Sequence, residues 1–231
     1  MVGSRAMIFR DRVQAGEKLA DALGEWKGRN PLVAAIPRGA VPMGKVIASR
    51  LGGDLDVVLT HKLPAPGNPE FAIGAVDETG WTYIADYAEQ TGATPDYIEK
   101  AVAQELATMR RRRSEYTPAQ APRDPAGRVV IVVDDGLATG ATMIAALHAL
   151  RARAPERLIC AVPVAAHDAL VKVRAYADDV VCLQIPDFFY AVGQFYRQFP
   201  QVSDAEVVAL LQAPAESVSG QAGLKSPERG G

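Results

Sequence analysis

Val129-Val130-Ile131-Val132-Val133-Asp134-Asp135-Gly136-Leu137-Ala138-Thr139-Gly140-Ala141-Thr142 is the stretch that decides the fold of this chain. Five apolar β-branched residues come first. A run this short and this apolar predicts a strand buried on both faces, as in a parallel sheet. Two carboxylates stand together at its C-terminal end, and a small turn rich in Gly and Thr follows. Met143 to Leu150 is rich in Ala and Leu, which favours helix. The unit is strand, acidic pair, loop, helix.

Each part has a physical use. Thr139 to Thr142 would open the helix, where free N–H groups and the positive end of the dipole make an anion site. Gly140 lets the backbone approach a phosphate closely, and Thr139 and Thr142 add hydroxyl donors. Asp134 and Asp135 stand just short of that pocket. Carboxylates there would repel a phosphate unless a sugar ring with hydroxyl donors lay between. The residues therefore predict a ribose 5-phosphate site, with the hydroxyls on the acids and the phosphate on the loop. The other reading is an ordinary strand–turn–helix with a solvated acidic pair.

Outward from this unit, the pattern is an alternation of strands and helices. Upstream, Asp11 is placed to cap a helix through Trp26, with Leu19, Leu23 and Trp26 on one face. Pro31 to Ile36 predicts a buried strand, Pro37 to Ala40 a tight turn, and Val41 to Leu51 a helix closed by Gly52-Gly53. Leu55 to Thr60 predicts a second strand. His61 to Glu70 is broken by prolines and predicts no regular structure. Phe71 to Val76 and Trp81 to Ile84 pair as a hairpin. Thr94-Pro95 starts a helix to Tyr116, and Pro118 to Pro125 is a linker. Downstream, 157–162 and 180–183 predict strands flanking a helix over 167–176. Ile185 to Phe199 is rich in aromatics, and Ser203-Asp204 caps a last helix to Gln212. From Ala213 onward Pro, Gly, Ser, Glu and Lys predict a disordered tail over 213–231. The sum is an α/β fold, an open and mostly parallel twisted sheet flanked by helices, forming one domain over 8–212. Ligands bind such sheets beyond the C-terminal strand ends, where strand order reverses. The strands ending at Ile36 and Val133 are expected to be neighbours there.

Composition narrows the function. The chain has 231 residues, 48% of them hydrophobic, enough for a sizeable core. A net charge of −2 argues against a general nucleic-acid binder. Cys160 and Cys182 lie inside apolar runs and predict buried, reduced thiols rather than a disulfide or a metal site. No apolar run has transmembrane length, and no apolar segment follows Arg5 as in a signal peptide, so a cytoplasmic protein without a membrane partner is expected.

The quoted stretch resembles the PRPP-binding signature of type I phosphoribosyltransferases: apolar residues, two acids, two variable positions, then small and hydroxyl residues around a Gly. Gly136 departs from it, since an aliphatic residue is more usual there; a loosened turn is the expectation. The resemblance, covering about residues 8–200, implies an enzyme of nucleotide metabolism that moves the phosphoribosyl group of PRPP to a small-molecule nitrogen acceptor. Asp134, Asp135 and Lys62 would be catalytic, Lys62 also binding pyrophosphate, and Ala138, Thr139, Gly140, Ala141 and Thr142 would bind the 5-phosphate. Arg38 and Gly39 resemble the family's pyrophosphate loop, and Lys62 matches part of a basic pair at the base of a closing arm (about 61–94). Mg2+ is the implied cofactor. In a hood over about 185–200, Asp187 is the candidate metal ligand and Phe188 and Phe189 the candidate base-stacking rings. A homodimer is the candidate assembly.

Other features stay open at this level. His61 is either a locally hydrogen-bonded imidazole or a catalytic group, and Glu70 either a solvated carboxylate or an aid to proton transfer. Arg110 to Arg113 cannot all face one partner at helical spacing. Some are expected to pair with acids such as Glu105 and Glu115, and one or two are candidates to reach the pyrophosphate, but for any single Arg a solvated helix face is the expectation. Gly39 to Val46 fits P-loop spacing, but Val46 stands where Ser or Thr should be and Pro42 removes a backbone donor. Lys45 is then expected to be a solvated helix residue. The competing functional reading is a non-catalytic PRPP- or nucleotide-binding regulator on the same fold.

Overall fold

The computed structural model describes residues 7–117 and 122–213. In chain order the elements are α1 (Arg12–Ala22), β1 (Leu32–Ala35), α2 (Val41–Leu51), β2 (Asp54–Val57), β3 (Thr60–Ala65), β4 (Asn68–Asp77) and β5 (Thr82–Ile84). Then come α3 (Pro95–Tyr116), β6 (Val129–Val133), α4 (Ala141–Arg151), β7 (Arg157–Val164), α5 (His167–Val173), β8 (Asp179–Gln184) and α6 (Asp204–Gln212). The expected tail falls almost wholly outside the described residues, as does the linker over 118–121.

The main sheet has five strands in the order β2-β1-β6-β7-β8, every pair parallel. All five residues of β6 are buried, as its apolar run requires of a central strand covered on both faces. Its even positions pack with α4 and α5, its odd positions with α1 and α2. The chain runs from β1 outward to β2, then returns to β6 and runs outward the other way. The order therefore reverses between β1 and β6, the expected neighbours, and a crevice opens at their C-terminal ends.

Helix ends follow local chemistry. Asp11 accepts from Gln14 N and Thr94 from Tyr97 N, while Ser203 and Glu206 form a reciprocal cap on α6. The first helix is shorter than its apolar face suggests. It stops at Ala22, and Gly24–Trp26 continues as a 3-10 turn that still buries Trp26.

Residues 61–70 correct the sequence reading. They are not irregular: β3 and most of β4 pair antiparallel there, joined at Pro66-Gly67, and with β5 they form a second sheet in the order β3-β4-β5. The prolines are tolerated because Pro64 sits at a register shift on the edge strand β3, Pro66 in the turn, and Pro69 on the end of β4 that β5 does not reach. The strand read as Leu55 to Thr60 is likewise two, β2 ending at Val57 and β3 starting at Thr60. Leu63, Ile73, Ala75 and Val76 are fully buried, so the arm is packed at its base, and the exposed stretch is the tip from Gly67 to Phe71.

Candidate functional site

A cavity of about 250 Å³ fills the crevice, walled by Ile36, Pro37 and Gly39 after β1, Lys62 on β3, Asp134 to Gly140 and Thr142 after β6, and Val192. Of the sequence-predicted residues, Gly39, Lys62, Asp134, Asp135, Ala138, Thr139, Gly140 and Thr142 thus meet in one place. Ala141 is buried beneath the loop.

The loop has the shape an anion site needs. Gly140 caps α4 with φ +81, so α4 begins with its N–H groups turned toward the cavity end of the loop. A side chain at 140 would be strained by that φ and would also meet Val173 Cγ2 at 3.1 Å and Ala169 O at 3.2 Å. Even alanine is therefore disfavoured at this position, independent of any ligand.

The acids are crowded together, and burial outweighs the cations that reach them. Asp135 N donates to Asp134 Oδ1 at 2.8 Å. Burial, and then the neighbouring Asp135 charge, push the Asp134 carboxyl well above its ordinary range, against the pull of that N–H, Lys62 and Arg12. Burial also pushes Asp135 up, opposed chiefly by Arg12. Two carboxylates so placed favour hydroxyl donors and developing positive charge, as a ribose ring would present.

Two glycines set the approach of the walls. A Cβ on Gly39 would run into Asp135 Oδ2, so only glycine lets the turn after β1 touch the acid pair. A Cβ on Gly136 would meet Val192 Cγ1 at 2.7 Å. The departure at 136 does not loosen the turn: Val192 fills the space an aliphatic side chain there would take.

Several expectations are corrected. The Arg38 side chain does not line the cavity; it reaches Asp204 at 3.5 Å, at the start of α6. Lys45 is not solvated. It is 5% exposed, its ammonium donates to Ala213 O, and burial lowers its pKa. None of Arg110 to Arg113 lines the cavity. Arg113 pairs with Asp56 and Glu78, Arg112 meets His61, and Arg111 approaches Glu115. His61 is held at both ring nitrogens, by Glu105 at 2.7 Å and Arg112 at 2.9 Å. A guanidinium cannot accept, so Nε2 is the acceptor and Nδ1 carries the proton. That is the locally hydrogen-bonded imidazole among the two readings of His61.

The hood candidates stand elsewhere. Asp187 and Phe188 line a separate pocket of about 490 Å³ with Met7, Ile8, Gln184 and Gln194. Phe188 is 74% exposed, and Phe189 packs on Phe195 with centroids 5.3 Å apart. Among the described residues no three His, Cys, Asp or Glu side chains converge as a metal site.

Sequence reasoning missed Arg12, Tyr196 and Val192. Arg12 Nε donates to Asp135 Oδ2 at 2.9 Å, and Tyr196 OH donates to Asp135 O at 2.7 Å. No local pattern announces these contacts, because the partners lie 123 and 61 positions apart.

Comparison with known proteins gives a consistent set of likenesses. A family model described as phosphoribosyl transferase domain matches residues 9–200. A Mycobacterium tuberculosis H37Rv protein named "Putative phosphoribosyl transferase Rv0571c" is 38% identical over 208 residues, 88% of this chain and 46% of that protein. The strain CDC 1551 counterpart matches equally. The chain thus spans about half the length of these relatives. The crystal structure of TT1426 from Thermus thermophilus superposes with a TM-score of 0.75 at 44% identity, covering 89% of this chain and 98% of that one.

Proposed function

The chain belongs to the phosphoribosyl transferase domain family, and from that premise we propose that it moves the 5-phosphoribosyl group of PRPP to a nitrogen acceptor, a nucleobase in the first instance, and releases pyrophosphate. One observation carries the reading: the glycine turn, a lysine, the acid pair and the Thr139–Thr142 loop share one cavity at the reversal point of the sheet.

In the proposed reaction the bond from C1 of the ribose to the pyrophosphate oxygen breaks and a bond from the acceptor nitrogen to C1 forms. The electron pair of the broken bond leaves with pyrophosphate. The 5-phosphate rests on the backbone of Ala138 to Thr142 at the start of α4. The ribose hydroxyls donate to Asp134 and Asp135, whose charge faces the positive charge that grows on the ring. Pyrophosphate lies along the Gly39 turn toward Lys62. A magnesium ion bound with PRPP would supply charge neutralisation on the leaving group. Asp187 is kept as a candidate contact to that ion, and Phe188 and Phe189 as candidate contacts to the acceptor, each requiring the hood to turn inward. The proposed unit is one domain over about 8–212, with an arm over 61–94 and a hood over 185–200.

No helix among the described residues is long and apolar enough to cross a membrane. The two free cysteines are in keeping with the proposed cytoplasmic setting. A second reading, a PRPP-binding regulator without turnover, is favoured by one observation: Arg38, the side chain expected on the leaving group, is engaged by Asp204.

The test is pyrophosphate release from magnesium–PRPP across a panel of purine, pyrimidine and other amine acceptors, with PRPP binding measured alongside. Release with at least one acceptor supports the transferase. Binding without release favours the regulator. No PRPP binding at all removes both.

A further inference from the structure

Arg12 is the first residue of α1 and is 9% exposed. Its guanidinium stands where three segments meet. Nε donates to Asp135 Oδ2 at 2.9 Å, and Nη1 donates to Pro200 O at 2.6 Å. The Phe199 ring lies under its Cζ at 3.8 Å. Nη2 lies 3.3 Å from where a Cβ on Gly39 would be. The same stretch that Arg12 grips, at the C-terminal end of the hood, is tied again to the acid loop by Tyr196 OH on Asp135 O.

A planar fork with donors in fixed directions can hold a carboxylate at one angle while binding something else behind it. Arg12 does this from outside the cavity, since it is not among the residues that wall it. We infer that Arg12 is a positioning residue: it aims the Asp135 carboxylate into the cavity and links that aim to the seating of the hood through Phe199 and Pro200. The inference rests on the PRPP reading for its substrate, but the geometry it asserts belongs to the free protein. The other charged or titratable groups around Asp135 are Asp134 on the same loop, Lys62 from the arm and Tyr196 in the hood. Of the influences that hold the Asp135 carboxyl down against burial, Arg12 is the largest.

Two variants separate aim from charge. Arg12→Lys keeps a cation but loses the fork, and Arg12→Met fills the space with neither. Carboxyl 13C NMR on the free protein follows the titration of Asp135. Its midpoint is expected to rise in Arg12→Met and to return toward wild type in Arg12→Lys. Calorimetry with magnesium–PRPP then reads affinity. Losing a charge-assisted hydrogen bond that orders a ligand-binding acid corresponds to a drop of roughly 10- to 100-fold. That drop is expected in both variants, with the lysine recovering the pH midpoint but not the affinity.

If the Asp135 midpoint moves in neither variant, Arg12 is only a packing residue and the inference is overturned. Wild-type PRPP affinity in folded Arg12→Lys also overturns it, since charge alone would then suffice. Should Arg12→Met not fold, Arg12→Lys decides by affinity alone. Absence of PRPP binding in wild type sinks the functional reading instead, and the NMR arm still judges Arg12.

Discussion

The surroundings of Asp134 oppose a charge on its carboxyl. Its carboxyl is pushed up by burial and by Asp135, so the folded state holds the proton more tightly than the unfolded chain. Between the ordinary carboxylate range and the raised folded value the native state binds more protons than the unfolded one. Stability therefore falls as pH rises through that window. Asp134→Asn removes the penalty and keeps an oxygen to accept from Asp135 N. It should be more stable than wild type at pH 7 by about 1 kcal/mol, which for a chain of this length raises Tm by roughly 2–4 °C. PRPP affinity should fall at the same time, because a carboxylate facing the ribose is gone. A variant that melts below wild type at pH 7 and above it at pH 4 would reverse the sign and refute the assignment of strain to this acid. The sequence made the acid pair visible as an interruption after an apolar strand. It did not show which cations serve the pair, since Arg12 and Lys62 arrive from other elements.

At the scale of elements, the arm was the least legible part. Prolines at 64, 66 and 69 suggested an irregular segment, but Pro64 lies on the edge strand β3, Pro66 in the turn and Pro69 on the end of β4 beyond its pairing with β5, while the base of β4 from Ile73 to Asp77 is buried throughout. β4 then packs on α4 through Ala75, against Ala141 and Ala145, and Trp81 stacks on His148 with ring centroids 3.8 Å apart. β3 is held to α3 through His61, between Glu105 and Arg112. Burial, the largest cause, lowers the His61 pKa, with Arg112 adding to the effect and Glu105 opposing it. A lowered folded value means that the neutral ring stabilises the docked arm. That stabilisation is complete above the unfolded value near 6.5 and is lost as pH falls through the folded one. Hydrogen exchange should therefore show β3 and β4 protected at pH 7.5, with only the tip over 67–71 exchanging fast. Protection at the base of β3 should weaken toward pH 5 in wild type but not in His61→Gln. Uniformly fast exchange over 60–77 at pH 7.5 would mean that the arm is not docked in solution.

Across the whole molecule, what could be read from sequence is what depends on short range. The alternation of apolar runs, turns and helices gave the parallel sheet, the neighbouring of β1 and β6, and the cavity at their ends. What escaped is the closure of the C-terminal segment over the base of the site, because it is made by basic side chains contributed from early in the chain. Arg12 meets Pro200, Arg38 meets Asp204, and Lys45 meets Ala213. The P-loop-like spacing around Lys45 hid its true environment, a buried ammonium on a carbonyl. Arg38 is the informative case, since it belongs to the turn beside the acid pair yet faces α6. Its partner Asp204 also accepts from Tyr116 OH. Asp204→Asn keeps an acceptor for that hydroxyl and removes the charge that retains Arg38. The pair is partly exposed, so the cost in stability should be small, about 0–1 kcal/mol. If Arg38 swings to the leaving group during binding, wild type must first break its contact with Asp204, and the variant need not. Pyrophosphate, measured with magnesium by calorimetry, should then bind severalfold more tightly to Asp204→Asn than to wild type, and Arg38→Met should abolish the difference between the two backgrounds. Equal pyrophosphate affinity in wild type and Asp204→Asn would leave Arg38 a strut between the β1 turn and α6, with Gly39 and Lys62 to bind the leaving group unaided.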